Sequence, residues 1–135
     1  MIDLLVNRAR PFIFTPGLPP ASAAAARAAI EIVERAPERA RGLLERAMRL
    51  GAELRAAGLV VPHVDSQILP VLIGDAERAV AVGTRLLDEG VYVAAIRPPT
   101  VPPGTSRLRV SLMATHTEAD IATAARAIVS AVKST

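Results

Sequence analysis

A proline-rich segment in the last third of the sequence carries two polar side chains that could bind an anionic substrate. Arg97 follows an apolar run over residues 91–96 and precedes two consecutive prolines, after which comes Thr100. Because proline fixes the backbone φ angle, the loop would present the guanidinium rigidly, and this suits bidentate recognition of a carboxylate. Thr100 could donate a hydrogen bond to the same substrate or only shape the turn. The residue types alone also allow Arg97 to be a surface arginine at a strand end that binds no ligand.

Thr15 is a second candidate, in a turn between a predicted strand over residues 12–14 and a helix that begins at two prolines. A hydroxyl near the N-terminus of a helix can contribute to an anion site. Pro16 follows directly and offers neither a hydroxyl nor an amide hydrogen. A turn that binds nothing is an equally good interpretation of this segment.

Residues for covalent and metal chemistry are scarce. The only lysine, Lys133, lies in the last turn of a predicted helix, where a solvent-facing role is the simplest one. The sequence has no cysteine, and its two histidines are far apart, so we expect no metal site. We expect His116 to pack or hydrogen-bond at the start of the last helix, and His63 to be a loop residue.

Composition excludes several classes of protein. Hydrophobic residues make up 51% of the 135 residues and aromatic residues only 2%, with a net charge of +3. Arginine and glutamate alternate one helical turn apart, which is typical of a solvated helix face rather than of a nucleic-acid surface. No apolar stretch approaches the roughly 20 residues that span a bilayer, and no signal peptide is recognisable. We therefore expect a cytoplasmic protein that binds neither nucleic acid nor membrane.

The apolar periodicity predicts an α+β fold in which helices cover one face of a small antiparallel sheet. Two N-terminal helices come first, and a β-α-β-β-α unit follows. The predicted elements are helices over residues 20–35 and 38–57, a strand over 67–74, a helix from Asp75 to Gly90, strands over 91–96 and 107–113, and a last helix that starts at Thr117 with a capping box to Asp120.

The last predicted strand alternates between apolar and cationic residues. Leu108 and Val110 would share its buried face, and Arg107 and Arg109 the opposite one. We expect the two arginines to form ion pairs on the sheet surface and to make inter-domain contacts. Pro70, inside the first predicted strand, indicates an edge or bulged position.

The run 95–120 contains Ile-Arg-Pro-Pro-Thr and Gly-Thr-Ser-Arg-Leu-Arg, and it closely resembles the C-terminal substrate-binding segment of the α-oxoamine synthases. These are pyridoxal-phosphate (PLP) dependent acyltransferases. Among them, the sequence of this segment is most similar to that of the 8-amino-7-oxononanoate synthases. The resemblance implies the C-terminal small domain of a fold-type I PLP enzyme. It also implies three parts: the end of the large domain with the cofactor-phosphate loop (1–18), inter-domain helices (19–58) and the C-terminal α+β domain (59–135).

The resemblance implies a role for each candidate residue. Arg97 would bind the carboxylate of the amino-acid substrate, and Thr100 would contact the same substrate. Thr15 would reach the phosphate of pyridoxal 5'-phosphate in the neighbouring subunit, with Pro16 weakening that contact. The Schiff-base lysine of the family is absent, and Lys133 matches no lysine motif of the family. We therefore expect the isolated chain to be catalytically incomplete.

The implied activity is the decarboxylative condensation of L-alanine with a pimeloyl thioester in biotin biosynthesis. The chain would act in a homodimer or together with an N-terminal half. Two alternatives stay open: a related synthase that uses glycine, and a non-catalytic module for small-ligand binding or assembly. The alanine-rich segment 21–29 would leave an apolar surface bare, so we expect self-association or a partner.

Overall fold

A computed structural model describes residues 2–8 and 19–135, which divide into two compact units at Pro37. The first unit contains two helices, α1 (Ile2–Arg8) and α2 (Pro20–Arg35). Pro20 occupies the first turn of α2, where no amide donor is needed, and the bounds of this helix are those predicted. Thr15, Pro16 and the predicted strand over 12–14 lie outside the described residues.

The second unit has the predicted order of elements. The helix α3 (Pro37–Ala56) leads into the β-α-β-β-α unit. This unit consists of β1 (Ile68–Gly74), α4 (Ala76–Asp88), β2 (Ala94–Ile96), β3 (Ser106–Ser111) and α5 (Glu118–Ser134). The α+β fold class is confirmed. None of the helices in the described ranges is both long and apolar enough to cross a bilayer.

β2 begins three residues later and β3 ends two residues earlier than the sequence pattern predicts, and residues that flank each strand make other contacts. The Val91 amide donates to the Leu86 carbonyl at 2.8 Å, so the residues before β2 close the end of α4. Gly90, with φ of +78°, makes that reversal of direction. At the end of β3, the Met113 amide donates to His116 Nδ1 at 3.2 Å, and the chain turns toward α5.

The three strands form an antiparallel sheet in the order β1-β3-β2. The central strand β3 pairs with β1 on one side, where Pro70 lies opposite Arg109, and with β2 on the other, where Ile96 lies opposite Arg107. The predicted edge position of Pro70 is confirmed. An edge strand tolerates proline because its missing N–H can point away from the sheet.

The two faces of this sheet differ in burial. The buried face consists of Leu69, Val71, Leu108 and Val110, which join one core cluster with residues of α3, α4 and α5. Residues that lie opposite each other on paired strands point to the same side of the sheet. The register of the strands and the bridge between Val60 and Leu72 therefore identify the residues of the other face. We call it the open face, because none of its residues is buried. It is formed by Val60, Ile68, Pro70, Leu72, Ala94, Ile96, Arg107, Arg109 and Ser111.

The helices that follow β1 and β3 begin with side-chain caps. At α4, Asp75 accepts a hydrogen bond from the Arg78 amide at 2.7 Å. At α5, Thr117 and Asp120 form the predicted capping box. Hydrogen bonds from the Thr117 amide and hydroxyl hold the pKa of the Asp120 carboxyl below its usual range.

Candidate functional site

Arg97 lies directly after β2, at the start of the loop that connects β2 to β3. The Thr100 amide donates to the Arg97 carbonyl at 3.1 Å, and the Pro98–Pro99 peptide bond between them is cis. Both Arg97 and Thr100 are exposed. The structure therefore brings the two predicted substrate-binding residues together in one hydrogen-bonded turn.

The far end of the same loop is held by Thr105. Its amide and its hydroxyl both donate to the Pro102 carbonyl, at 3.2 and 2.7 Å. Gly104 has a φ of +77°, which favours glycine. The Arg107 Nε then donates to the Thr105 carbonyl at 2.9 Å, which ties the loop to the start of β3. The loop is thus fixed at both ends by its own backbone and side chains.

The Arg97 guanidinium is available to a ligand. Among residues 2–8 and 19–135 it forms no ion pair, since the salt bridges there join other residues. An exposed guanidinium on a fixed loop can accept a carboxylate in a bidentate arrangement. The Thr100 hydroxyl, three residues on, could donate to the same group. No described residue supplies a lysine beside them, since Lys133 is exposed in the last turn of α5.

Arg107 and Arg109 lie on the open face of the sheet, as the alternation predicts. Arg107 is half-buried and Arg109 is exposed. The predicted ion pairs of these arginines do not form within the described part of the chain. The physical reason is local, because the residues around them on that face are apolar or neutral.

The segment between β3 and α5 is anchored by contacts that the sequence does not signal. Arg46, on α3, donates to the carbonyls of His116 and Ala114 at 2.6 and 3.3 Å. Arg49, one turn later, pairs with Glu118 at 2.8 Å. In the sequence these arginines look like members of a solvated helix face. Partners about 70 positions away leave no local pattern, so only the tertiary structure identifies them.

The two histidines have the roles expected of them. His116 accepts a hydrogen bond at the start of α5, and His63 is exposed in the loop before β1. Within the described ranges, no group of three or more histidine, cysteine or carboxylate side chains could hold a metal ion.

One cleft in the described residues has a volume of about 580 Å³ and is not lined by residues of the Arg97 loop. A smaller groove of about 290 Å³ runs beside β2 and α4. Neither of these two clefts is lined by Arg97 or Thr100. The large cleft is mainly apolar and is lined by residues that include Leu50, Tyr92, Val110, Leu112, His116 and Ile121.

Comparison with known proteins gives a consistent result. The family model described as aminotransferase class I and II matches residues 1–128. The 8-amino-7-oxononanoate synthase of Methylobacterium sp. (strain 4-46) is 52% identical over 128 residues, which are 95% of this chain and 32% of that protein. The chain thus spans about a third of the length of the curated relatives that it matches.

Solved structures of two related enzymes share the fold. Serine palmitoyltransferase from S. paucimobilis, with a bound PLP–myriocin aldimine, superposes with a TM-score of 0.86 at 36% identity over 98% of this chain and 34% of that one. The 8-amino-7-oxononanoate synthase of Francisella tularensis gives a TM-score of 0.77 at 25% identity, over 98% of this chain and 39% of that one. The predicted resemblance and the fold-type I architecture are confirmed.

Proposed function

Because this chain belongs to the aminotransferase class I and II family, we propose that it supplies the substrate-carboxylate site of a PLP-dependent acyltransferase of the 8-amino-7-oxononanoate synthase type. The observation that carries the proposal is the exposed Arg97 on its hydrogen-bonded loop. The complete enzyme would condense L-alanine with a pimeloyl thioester, release carbon dioxide and so serve biotin biosynthesis. We expect that enzyme in the cytoplasm, as a homodimer or a complex with an N-terminal half.

Each candidate residue receives one role in this proposal. Arg97 forms the bidentate ion pair with the alanine carboxylate, and Thr100 donates a hydrogen bond from its hydroxyl. Thr15, which lies outside the described residues, contacts the PLP phosphate of a neighbouring subunit. The division into the parts 1–18, 19–58 and 59–135 stays a prediction.

The residues of this chain fit the amino-acid carboxylate and do not fit covalent attachment of the cofactor. PLP, when bound, supplies the electron sink that stabilises a carbanion at the α-carbon of the amino acid. Its attachment requires a lysine, and Lys133 is exposed at the end of α5. We therefore assign the attachment to polypeptide other than residues 1–135, and we expect the isolated chain to have neither lysine-bound PLP absorbance nor synthase activity.

A chimeric enzyme tests the proposal. This chain replaces the matched third of the Methylobacterium synthase, and alanine-dependent release of the thiol from pimeloyl thioester is measured. Arg97→Ala should lower kcat/KM for alanine by about 10- to 100-fold, because a charge-assisted hydrogen-bonded pair is lost. Arg97→Lys should lower it less, since it keeps the charge but not the bidentate geometry.

Arg126→Ala is the matched control, because Arg126 is exposed on α5 and away from the loop. Its kcat/KM should stay at the value of the parent chimera. Equal activity of the Arg97→Ala and Arg126→Ala chimeras would contradict the role of Arg97.

The same assay with other amino acids separates the related activities. Serine palmitoyltransferase is among the structural neighbours, and glycine-using synthases resemble this chain in the residues after Gly104. We expect alanine to be preferred over glycine and serine, given the identity to 8-amino-7-oxononanoate synthases. A folded chimera that turns over none of the three would instead favour a non-catalytic binding or assembly module.

A further inference from the structure

The loop between β2 and β3 makes few hydrogen bonds of its own. Four of its nine residues, 97–105, are prolines, which have a fixed φ and no amide hydrogen. Within the described part of the chain, three hydrogen bonds join residues of this loop to its own carbonyls, and Thr105 donates two of them. The third comes from the Thr100 amide. The shape of the loop therefore depends strongly on one residue at its far end.

Thr105 binds a single carbonyl with both of its donors. The amide and the hydroxyl donate to the Pro102 carbonyl at 3.2 and 2.7 Å, and together they close a turn over residues 102–105. The hydroxyl bond has the usual length of an O–H···O bond, whereas the amide bond is at the long end of the N–H···O range. The side chain of Thr105 therefore contributes at least as much as its backbone to keeping this turn closed.

This turn is close to the two residues that would bind the substrate carboxylate. Arg97 and Thr100 belong to the preceding turn, and Val101 is the only residue between the two turns. At its far end the loop passes close to the end of β1, since a Cβ on Gly74 would lie 3.6 Å from the Gly104 carbonyl oxygen. The closed second turn thus connects the carboxylate-binding turn to the sheet through a short, restrained segment.

We propose that Thr105 is a positioning residue for the amino-acid substrate. Its hydroxyl keeps the second turn closed, and the closed turn holds Arg97 and Thr100 in the arrangement that binds a carboxylate. This inference rests on the proposed function, because it assigns no substrate of its own. The apparent affinity for the amino acid falls with the fraction of molecules in which the loop is closed.

Removal of the hydroxyl tests this role in the chimera described above. Thr105→Val keeps the branched shape of the side chain and removes its donor. The KM for alanine should rise by about 3- to 10-fold, which corresponds to the loss of one hydrogen bond. The kcat should change by less than about twofold, because saturating substrate selects the closed loop. Thr105→Ser keeps the hydroxyl and should return the KM to within about twofold of the parent value.

Two further variants show whether the effect passes through the carboxylate site. Thr84→Val makes the same chemical change on the exposed surface of α4 and should leave the KM unchanged. Added to Arg97→Ala, Thr105→Val should have much less effect than it has alone, because the main group that it positions is already gone. Equal effects of Thr105→Val in the presence and absence of Arg97 would overturn the proposal.

Hydrogen exchange tests the loop without substrate or turnover. The exchange rate of the Thr100 amide is measured by NMR in the isolated chain. It should be severalfold faster in Thr105→Val, because local opening exposes an amide to solvent, and unchanged in Thr84→Val. An unchanged rate in Thr105→Val overturns the proposal, whether or not the chimera is active.

These outcomes differ from those that test the proposed function. If Arg97→Ala lowers kcat/KM but Thr105→Val leaves the KM at the parent value, the function stands and the positioning role is overturned. A fall in kcat at constant KM, or equal effects of Thr105→Val and Thr105→Ser, also overturns that role, because either result points to packing rather than to the hydroxyl. If the chimera is inactive, faster exchange at Thr100 in Thr105→Val still supports the hold of Thr105 on the loop, and the inactivity counts against the function.

Discussion

Strand β3 contributes Leu108 and Val110 to a face that is part of the core, and Arg107 and Arg109 to a face without buried residues. The backbone is the same, and only the alternation of side chains differs. On the buried face, stability comes from apolar area removed from water within this chain. On the open face, similar apolar residues stay partly exposed beside two cations. The difference separates the residues that fold this unit from those that leave the other side of its sheet accessible.

The largest expected effect tests that separation directly. Leu108→Ala should lower the free energy of unfolding of the isolated chain by about 2 to 5 kcal/mol, because it removes buried methyl groups and leaves a cavity. Arg109→Ala, on the adjacent position and the opposite face, should change it by less than about 0.5 kcal/mol. Urea unfolding followed by circular dichroism measures both. Similar losses for the two variants would show that the open face also contributes to folding.

A smaller effect is expected at the one polar residue of the core in the described ranges. Ser106 is fully buried, and its Oγ has no hydrogen-bond partner among those residues. Ser106→Ala should therefore raise the free energy of unfolding by about 1 kcal/mol, since an unsatisfied buried hydroxyl is removed. Ser111→Ala, at the exposed end of the same strand, is the matched control with no expected change. A loss of stability in Ser106→Ala would mean that the hydroxyl has a partner after all.

The smallest effect concerns pH. Hydrogen bonds from Thr117 lower the pKa of the Asp120 carboxyl in the folded chain, relative to about 3.9 when unfolded. A lowered folded-state pKa gives stability that is present above the unfolded value and is lost as the pH falls through the folded value. NMR titration of the Asp120 carboxyl should give a midpoint below that of the same carboxyl in the urea-unfolded chain. Thr117→Ala should raise that midpoint only in part, because the backbone amide still donates, and Thr123→Ala should not move it.

Much of the fold follows from local sequence. Pro20 begins α2 and Thr117 with Asp120 begins α5, as predicted, because caps and first-turn prolines act over three or four residues. The position of Pro70 in an edge strand follows from its missing N–H. The length of β2 was predicted wrongly, since the Val91 amide bonds to the Leu86 carbonyl of α4 and pairing with β3 begins only at Ala94. Periodicity cannot distinguish a strand from an extended segment that closes a helix.

The candidate site also has a part that the sequence predicted and a part that only the structure shows. The resemblance identified the loop with Arg97 and Thr100, and the structure adds the hydrogen bonds that fix it. Arg46 and its contacts before α5 could not be predicted, because its partners lie about 70 positions away. That neither of the two clefts is lined by Arg97 or Thr100 also appears only in three dimensions.

The sequence by itself determined the order of the elements, their caps, the alternation in β3 and the membership of the family, because each is written in residues close together along the chain. Only the tertiary structure decided that Arg107 and Arg109 form no ion pair within the described residues and that Arg46 holds the segment before α5. Those properties depend on contacts between distant elements, and a linear pattern restricts such contacts without choosing among them.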